Sequence, residues 1–541
     1  MKTGKALQLS CYGLCLTLTL FGHVTVAQLP EPRPVDCSYS DWSAWTPCNP
    51  CTKEARRSRA INAFGQFNGA PCLESLGEAK PCTTGAACAA PPACSAQDFQ
   101  CGSGACIKKR LACNYDFDCE DLTDEEACDR MQRKPCTRAV DTKDRGMSDV
   151  GQGISIMGTP ATKKVLYNGY YGGVCQLVSM SNIRLPWNVA SLTFETHAEK
   201  TVSNRVLDSS QHLVGEVLTE ARFKIKGVLS INSKRFVKAA KLEMIDVIED
   251  VIKNAATSKR FMRVNTKVQL ANYRLRPRDL RLADGFLKDI RSLPAEYEKG
   301  AYMDFIEDYG THYTRSGKLG GEYNLIYVLN NEEIKKRTVV DKVLISVKGG
   351  DSASISAMKA KITAEGQLDA ETYRTWSRSI SDQPGLLSSE RDPIYNLVPL
   401  DMPDANDKTS NLKRAMEDFV AEFSICKCNP CHNNGTVVLI DGMCSCLCTS
   451  AFKGLACQNP RADEVPAKEP RPSVPRPSVP RPSVPRPSVP VPSVRHEGNW
   501  ACWSGWSACG DEGNRSRRRA CNVAGLPLGG CTGEDMEAED C

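Results

Sequence analysis

Histidine is scarce in this sequence, and the short motifs that would point to an enzyme are missing. Only six histidines occur in 541 residues, which disfavours a zinc site built from histidines and paired cysteines. We find no nucleophile elbow, zinc-protease motif or phosphate-binding loop. The net charge of +5, from 69 basic and 64 acidic residues, is too dilute to indicate a nucleic-acid partner. We therefore expect a protein that is not an enzyme and does not bind nucleic acid.

Long apolar runs are also missing after residue 27. Residues 1–27 have the layout of a secretory signal peptide, with Lys2 and Lys5, an apolar stretch and a small-residue end, Thr25-Val26-Ala27. The apolar stretch of about 15 residues is short for a membrane span of roughly 20, so a membrane anchor is the less favoured alternative. We expect a secreted chain whose membrane contact, if any, uses a device other than a transmembrane helix.

Cysteine is almost absent from the middle of the chain and abundant at both ends. Cys11 and Cys15 lie in the predicted signal peptide, and Cys136 and Cys175, which we expect to pair, are the only cysteines between residues 129 and 425. An even number of cysteines in a secreted chain predicts disulfide-bonded modules, because small domains cannot bury enough apolar surface unaided. The pattern predicts one large domain flanked by small disulfide-rich modules.

Two segments combine cysteines with spaced tryptophans and arginines. Residues 37–88 contain Trp42 and Trp45 and then Arg56-Arg57-Ser58-Arg59, and residues 499–541 contain Trp500, Trp503 and Trp506 followed by alternating arginines. Tryptophans three apart can alternate with guanidinium groups of the next strand. Each segment resembles a thrombospondin type 1 repeat. For the first, the resemblance implies the disulfides Cys37–Cys72, Cys48–Cys82 and Cys51–Cys88. It also makes four tryptophans candidates for C-mannosylation: Trp42, Trp45, Trp500 and Trp503.

Residues 94–128 carry six cysteines and end in a run of acidic residues from Asp118 to Glu126. A solvated acidic face is the ordinary interpretation of such a run. Here the acids lie inside a tight loop, where like charges repel, so a hard cation explains them better. The spacing resembles a low-density-lipoprotein-receptor class A module. That resemblance implies a Ca²⁺ site formed by the side chains of Asn114, Asp118, Asp124 and Glu125 and the backbone carbonyls of Leu111 and Asp116.

Residues 426–457 resemble an epidermal-growth-factor-like module, and residues 458–498 form a proline-rich linker with repeated Arg-Pro-Ser-Val-Pro. The first resemblance implies Cys428–Cys444, Cys431–Cys446 and Cys448–Cys457. Alignment of the two thrombospondin-like repeats leaves Cys521 without a partner, and Cys426 is the other odd cysteine. We expect these two cysteines to bridge their modules. Asn434 and Asn514 are predicted N-glycosylation sites.

The central region, residues 136–425, predicts one mixed α+β domain. Strand-like patterns cover 190–196, 260–275 and 322–329, and amphipathic helical periods cover 280–293, 301–309 and 412–423. The region also contains Tyr302, then Tyr309-Gly310-Thr311-His312-Tyr313. This run is similar to the signature of the membrane attack complex/perforin family, and residues 186–192, 319–321 and 394–399 look like its terminal complement members. We interpret His312 as a structural residue, because no candidate nucleophile or acid accompanies it.

The family resemblance implies a bent antiparallel sheet with helical clusters, as in cholesterol-dependent cytolysins, whose clusters unfurl into membrane hairpins. In residues 222–232 one face carries Phe223, Ile225, Gly227, Leu229 and Ile231. This alternation is what a membrane strand requires, and an amphipathic edge strand is the alternative. Gly349-Gly350 resembles the family's hinge. The stretch available for a second hairpin, residues 330–348, is short for the family.

These features together predict a multidomain, secreted plasma protein of the terminal complement type. The resemblance implies that it joins earlier complement components on a target membrane, polymerises with copies of itself and inserts hairpins into the lipid bilayer, causing cytolysis in innate immunity. Two alternatives remain open. One is a chain of the same complex that inserts without extensive polymerisation. The other is a non-lytic secreted form, because residues 330–348 are short.

Overall fold

The computed structural model describes the modules and the central domain with several gaps. The described residues are 29–88, 93–128, 136, 146–147, 150–155, 161–178, 182–202, 213, 224–225, 259–330, 340–423, 427–428, 431–440, 442–449, 451–460, 499–500, 503–504, 507–510, 513–523 and 530–540.

Short strands form the two amino-terminal modules. The first thrombospondin-like repeat contains β1 (Ser38–Tyr39), β2 (Glu54–Ser58), β3 (Ile61–Ala63), β4 (Gly65–Gln66) and β5 (Gly77–Pro81), and β2 pairs antiparallel with β5. The class A-like module contains the hairpin β6 (Asp98–Gln100) and β7 (Cys106–Lys108) and two 3-10 helices, Lys109–Leu111 and Thr123–Glu125. Each module has little apolar core, and disulfides supply much of its cohesion.

The central domain is built on a seven-stranded sheet. Its strands are β8 (Gly153–Ile154), β9 (Val189–Val202), β10 (Lys224–Ile225), β11 (Lys259–Leu275), β12 (His312–Asn330), β13 (Val340–Lys348) and β14 (Gly385–Pro393). The order is β10-β14-β12-β11-β9, and β8 and β13 also pair with β12. The β11–β12 register runs antiparallel from Lys259 opposite Asn330 to Arg274 opposite Ser316. These two strands therefore form the spine of the domain.

Among the described residues, five helices cover this sheet. They are α1 (Asp284–Ser292), α2 (Lys299–Tyr309), α3 (Ser352–Glu365), α4 (Ala370–Ser379) and α5 (Ala405–Glu422), and a 3-10 helix spans Ile394–Leu397. Helices α1, α2 and α5 pack on the half of the sheet near His312, burying Phe286, Ile306 and Leu412. Helices α3 and α4 pack on the other half around Met358 and Trp376. The sheet thus carries two separate cores along its length.

The carboxy-terminal modules again consist of short strands. The growth-factor-like module contains β15 (Thr436–Ile440), β16 (Met443–Leu447), β17 (Phe452–Lys453) and β18 (Asn459–Pro460), and the second thrombospondin-like repeat contains β19 (Asn499–Trp500), β20 (Asn514–Arg518), β21 (Cys521–Asn522) and β22 (Met536–Asp540). Strand β16 also pairs in parallel with β4 of the first repeat. Two modules that are distant in sequence therefore share one three-stranded sheet.

Candidate functional site

The predicted signature residues form the corner where α2 meets the sheet. Tyr302 and Tyr309 are buried, and their hydroxyls donate to the Pro294 carbonyl at 2.7 Å and to Asp289 Oδ2 at 2.8 Å. Gly310 follows with φ of +82°, and a Cβ there would lie 2.6 Å from the Ile154 nitrogen. A larger residue at Gly310 would clash with β8 and be strained, so glycine is required at this corner.

Thr311 and His312 tie the start of β12 to β8. The Thr311 hydroxyl lies 3.3 Å from the Ile154 carbonyl and 2.9 Å from His312 Nδ1, and His312 pairs with Ile154 across the strands. Burial, with a smaller contribution from the Arg391 charge, lowers the pKa of His312 to about 4. The imidazole is therefore uncharged at neutral pH, and its Nδ1 atom is hydrogen-bonded to the hydroxyl of the preceding residue.

The strand β12 changes neighbours in the middle of the sheet. From His312 to Gly320 it pairs with β14, and from Glu322 to Leu329 it pairs with β13. The change falls at Gly320-Gly321, where Gly349 and Gly385 also meet the strand. A Cβ at Gly320 would overlap the Val268 carbonyl oxygen, and one at Gly349, where φ is +73°, would overlap the Gly320 carbonyl oxygen. The predicted hinge is thus a place where several backbones approach more closely than any side chain allows. We call Gly320, Gly321, Gly349, Gly350 and Gly385 the glycine junction.

Most of the predicted membrane strand lies outside the described residues. Four of its five predicted lipid-facing residues lie outside the described residues: Phe223, Gly227, Leu229 and Ile231. Ile225 belongs to β10, which pairs in parallel with β14 at Arg391. In the second hairpin region, β12 ends at Asn330 and β13 begins at Val340. Among the described residues, no helix is long and apolar enough to cross a membrane.

A buried polar group on the sheet was not predicted from the sequence. Asn265 lies opposite Asn324 on the paired strands, and its Nδ2 donates a hydrogen bond to Asn324 Oδ1 at 2.5 Å. Asn265 also donates to Glu322 Oε1 at 2.7 Å, and Arg263 donates to Asn324 Oδ1 at 2.7 Å. The sequence signal is polar residues at alternate positions of β11 from Arg263 to Gln269 and at Glu322 and Asn324 of β12. The same face continues into the buried apolar side chains of Phe261, Ile326 and Val328. The opposite face of these strands carries the apolar core under α3 and α4.

The predicted calcium ligands converge in one loop of the class A-like module. Asp118 and Asp124 are almost fully buried, and Asn114 Nδ2 donates to Asp118 Oδ2 at 3.0 Å. Asp124 Oδ2 accepts from the Asp118 amide at 2.7 Å, and Glu125 Oε1 accepts from the Asn114 amide at 2.6 Å. Leu111, whose carbonyl is a predicted ligand, is buried beside them. The structure therefore gathers the predicted ligand residues.

Two observations make this loop chemically suited to a divalent cation. The Oδ1 atom of Asp124 is buried and has no hydrogen-bond partner in the described part of the chain. Burial raises the pKa of Asp118 to about 6, and the neighbouring charges of Asp116 and Asp124 add to the effect. Concentrated buried carboxylate oxygens of this kind are the donors that Ca²⁺ prefers.

Both thrombospondin-like repeats contain alternating aromatic and basic side chains. In the first, Arg57 lies between Trp42 at 4.8 Å and Trp45 at 4.6 Å, and Arg59 stacks on Trp42 at 4.5 Å. In the second, Arg519 lies 4.4 Å from both Trp500 and Trp503. The tryptophans predicted to be C-mannosylated are therefore the rungs of these ladders.

The predicted glycan acceptors lie at exposed positions. Asn434 is exposed in the turn before β15, and Asn514 is exposed at the start of β20. Both side chains face solvent in their modules, as a glycan requires.

The disulfides of the structure include the pairs that the module resemblances imply and the pair expected between Cys136 and Cys175, the two cysteines of the central region. They are Cys37–Cys72, Cys48–Cys82, Cys51–Cys88, Cys136–Cys175, Cys428–Cys444, Cys431–Cys446 and Cys448–Cys457. The expectation for Cys521 was wrong. It pairs with Cys531, at a Cα separation of 5.8 Å, inside the second repeat. A partner ten residues away needs only a local turn, so the bridge to Cys426 does not form. Cys426 lies outside the described residues.

Comparison with known families matches three parts of the chain. A model of the MAC/Perforin domain matches residues 145–340 and 330–429, one of the low-density lipoprotein receptor domain class A matches 92–128, and one of the thrombospondin type 1 domain matches 40–88. The central sheet, the loop that carries the predicted Ca²⁺ ligands (residues 111–125, hereafter the acidic loop) and the first Trp/Arg ladder lie within these three ranges.

Several curated proteins are similar to nearly the whole chain. Complement component C9 of Oncorhynchus mykiss is 40% identical, over 94% of this chain and 97% of its own length. Complement component C8 beta chain of Rattus norvegicus is 28% identical over 94% of this chain and 90% of its own length. Complement component C6 of Bos taurus is 28% identical over 94% of this chain and 57% of its own length.

Proposed function

The chain belongs to the MAC/perforin family, and we propose that in the terminal complement pathway it is the polymerising, pore-forming subunit of the membrane attack complex. The observation that carries this proposal is the 40% identity to complement component C9 along 94% of the chain. The C8 beta and C6 relatives match over a similar share of the chain at 28%. The similarity to this one relative therefore extends well beyond the central domain.

The central sheet supports a mechanism in which strands already paired in the monomer are extended into the membrane. The β11–β12 pair is long, and β12 leads through residues 331–339 into β13. A closed barrel of strands from many subunits satisfies every backbone hydrogen bond in lipid, which an isolated hairpin cannot do. At the glycine junction, β13 can change its angle to the half of the sheet near His312 without steric clashes between side chains.

We propose that the protein acts without catalysis and is secreted into plasma. Its partners would be earlier terminal complement components on the target membrane, further copies of itself and the lipid bilayer. The neutral, buried His312 supports a structural role for the signature corner. Because we propose that the protein is secreted, we also propose glycans at Asn434 and Asn514 and C-mannose on the ladder tryptophans.

We also propose that the acidic loop holds Ca²⁺ through Asn114, Asp118, Asp124 and Glu125 and the carbonyls of Leu111 and Asp116. Bound Ca²⁺ would neutralise the converging carboxylates and use the free Asp124 Oδ1. Calorimetric titration of the full-length protein should give heat of binding, and Asp118→Ala or Glu125→Ala should remove it. An absence of heat in the wild type would reject the site.

One experiment separates the proposed function from its two alternatives. The purified protein is added to dye-loaded liposomes that carry the earlier terminal complement components, and the membranes are imaged by electron microscopy. The proposed function predicts rings of many copies and dye release. Release without rings would favour an eighth-component chain, which inserts but does not polymerise extensively. Binding without release would favour the non-lytic form.

A further inference from the structure

The acidic loop of the class A-like module also forms the contact between that module and the central domain. Asp118 Oδ1 accepts a hydrogen bond from the Gly172 amide at 3.1 Å. The Asp116 carboxylate accepts from both terminal nitrogens of Arg184, at 2.6 and 2.8 Å. The Asp116 and Arg184 side chains are only 10% and 9% exposed. Two of the six residues proposed to hold Ca²⁺ therefore also bind the neighbouring domain.

The receiving surface on the central domain is held in shape by its own contacts. Arg184 Nε donates to the Val174 carbonyl at 2.9 Å, and the guanidinium lies 4.2 Å from the Tyr171 ring. Gly172 and Gly173 have φ of +62° and +69°, and a Cβ at Gly173 would lie 2.8 Å from the Leu111 side chain. The turn at Gly172-Gly173 can therefore approach the class A-like module closely only because these two residues have no side chains. A bidentate Arg–carboxylate pair in this setting also requires one orientation of Asp116.

A second contact joins the acidic loop to the start of α1. Glu120 Oε2 accepts from the Asp284 amide at 2.7 Å, whereas Ala283, at the N-cap position, offers no side-chain cap. The free N–H groups of a helix start need such an acceptor. The Tyr167 hydroxyl also donates to the Phe117 carbonyl at 2.6 Å. The loop thus caps a helix of the central domain and offers its own backbone to a tyrosine.

We propose that cation binding and docking of the class A-like module are linked through this loop, so that Ca²⁺ holds the module against the central domain and its removal releases the module. The proposal rests on the Ca²⁺ site proposed above. Asp116, Asp118, Glu120, Asp124 and Glu125 lie within ten residues and repel one another when no cation is present. The Cys101–Cys119 and Cys113–Cys128 disulfides tether the ends of the loop, but they do not set the direction of the Asp116 carboxylate or the Asp118 carboxylate. The cation would hold the Asp118 carboxylate directly and the Asp116 backbone through its carbonyl, and these two residues meet Gly172 and Arg184.

Hydrogen exchange on the full-length protein tests this linkage, with samples in Ca²⁺ and in a chelator. Calorimetry on the same protein first measures Ca²⁺ binding. We expect Ca²⁺ to slow exchange in peptides covering residues 110–125 and also in peptides covering 167–178 of the central domain. Slower exchange in 110–125 alone, with heat of binding present, would overturn the linkage and leave the Ca²⁺ site intact. No heat of binding would reject the Ca²⁺ site, and the linkage with it, without bearing on pore formation.

The variant Arg184→Gln tests the linkage from the other side. Coupling between two binding events is reciprocal, so weakening the docking contact should weaken Ca²⁺ binding. We expect an affinity for Ca²⁺ lower by about fivefold or more, the lower end of ordinary couplings, and faster exchange in 110–125. The matched control is Lys108→Gln, which removes an exposed ion pair with Asp98 inside the same module. Equal affinities in Arg184→Gln, Lys108→Gln and the wild type would overturn the proposal.

Discussion

The indole Nε1–H of Trp376 donates a hydrogen bond to the carbonyl oxygen of Gly349, at 2.8 Å. Trp376 lies on α4, is completely buried and packs against the rings of Tyr323 and Tyr373 at 5.5 and 5.8 Å. Gly349 follows β13 at the glycine junction. This hydrogen bond therefore connects helix α4 to the turn that follows β13. Rotation of β13 about the junction has to break this bond.

We expect Trp376→Phe to destabilise the monomer and to speed pore formation once it is bound. A smaller aromatic ring replaces the indole, and the Gly349 carbonyl loses its donor, which costs about 1–3 kcal/mol for a buried group. The rate of dye release from liposomes bearing the earlier components should rise relative to the wild type. Trp187→Phe is the control for release, because Trp187 Nε1 donates to the Asp279 carbonyl, away from the junction, at the same 2.8 Å. That bond is exposed, so its loss should cost less stability than the loss of the Trp376 bond. Unchanged or slower release in both variants would contradict a restraining role for Trp376.

A second prediction compares two glycines that have nearly the same positive φ. Gly349 and Gly366 have φ of +73° and +72°, but a Cβ at Gly366 meets no heavy atom within 4 Å. Gly366→Ala should therefore cost only the left-handed strain of about 1–2 kcal/mol. Gly349→Ala adds an overlap with the Gly320 carbonyl oxygen, for which we expect about 1–3 kcal/mol more. Thermal unfolding monitored by circular dichroism checks the difference, and equal melting temperatures would show that the junction is not tightly packed.

The sequence predicted the modules and the spine of the sheet more fully than the rest of the central domain. Strand β11 shows a continuous strand pattern and was predicted within one residue. The prediction for β12 began ten residues late, because Gly317, Gly320 and Gly321 interrupt the alternation that identifies a strand. The prediction for α5 began seven residues late, because its first turns carry no apolar period.

Helices α3 and α4 were missed, although their start signals are present in the sequence. Asp351 accepts from the Ser354 amide at 2.8 Å, and Asp369 accepts from the Thr372 amide at 2.8 Å, which are ordinary side-chain caps. The contacts between modules could not be predicted. The bonds of Asp116 to Arg184 and of Asp118 to Gly172 join residues more than 50 positions apart, and no local pattern encodes such pairs.

One carboxylate joins three parts of the chain. Glu422, at the end of α5, accepts from the Ile61 amide of the first repeat at 3.0 Å. It also binds Lys299 on α2 at 2.7 Å and Lys427, which leads into the growth-factor-like module, at 2.6 Å. Its side chain is nearly buried, whereas the two lysines are partly exposed. This charge therefore contributes to the placement of the first repeat and the growth-factor-like module, together with the β4–β16 pairing.

We expect Glu422→Gln to destabilise the protein by about 1.5–3 kcal/mol, the usual range for hydrogen bonds to a charged group. Glu417→Gln on the exposed side of the same helix should change stability by less than about 0.5 kcal/mol.

Burial opposes ionisation of Glu422, but the bonds from Lys299 and Lys427 outweigh it and lower the pKa below the ordinary 4.5. A carboxyl with a lowered pKa stabilises the fold above its unfolded pKa and loses this contribution as the pH falls through the folded pKa. Urea unfolding should show a constant gap between Glu422→Gln and the wild type above about pH 5. The gap should shrink below pH 4.5, and a gap independent of pH would exclude the charge as its source.

The last prediction concerns the proposed membrane strand, residues 222–232. Ile225 and Leu229 are expected to face lipid in the pore, while Lys224 and Ser230 are expected to line water. A lysine on the lipid face near the bilayer midplane costs roughly 2–4 kcal/mol per strand, and a ring repeats that cost in every subunit. Ile225→Lys should therefore abolish dye release. Secretion should remain nearly normal, because within the described part of the chain Ile225 takes part in the short β10–β14 pairing alone.

The control for this prediction is Ser230→Lys, which adds the same charge to the face expected to be wet. Its dye release should stay close to that of the wild type. Binding of each variant to liposomes bearing the earlier components is measured in parallel, so that a docking defect is not mistaken for failed insertion. Equal release from the two variants would reject the assigned faces. No release from the wild type would instead favour the non-lytic form, since residues 331–339 and the ends of β12 and β13 would then be too short to reach across the bilayer.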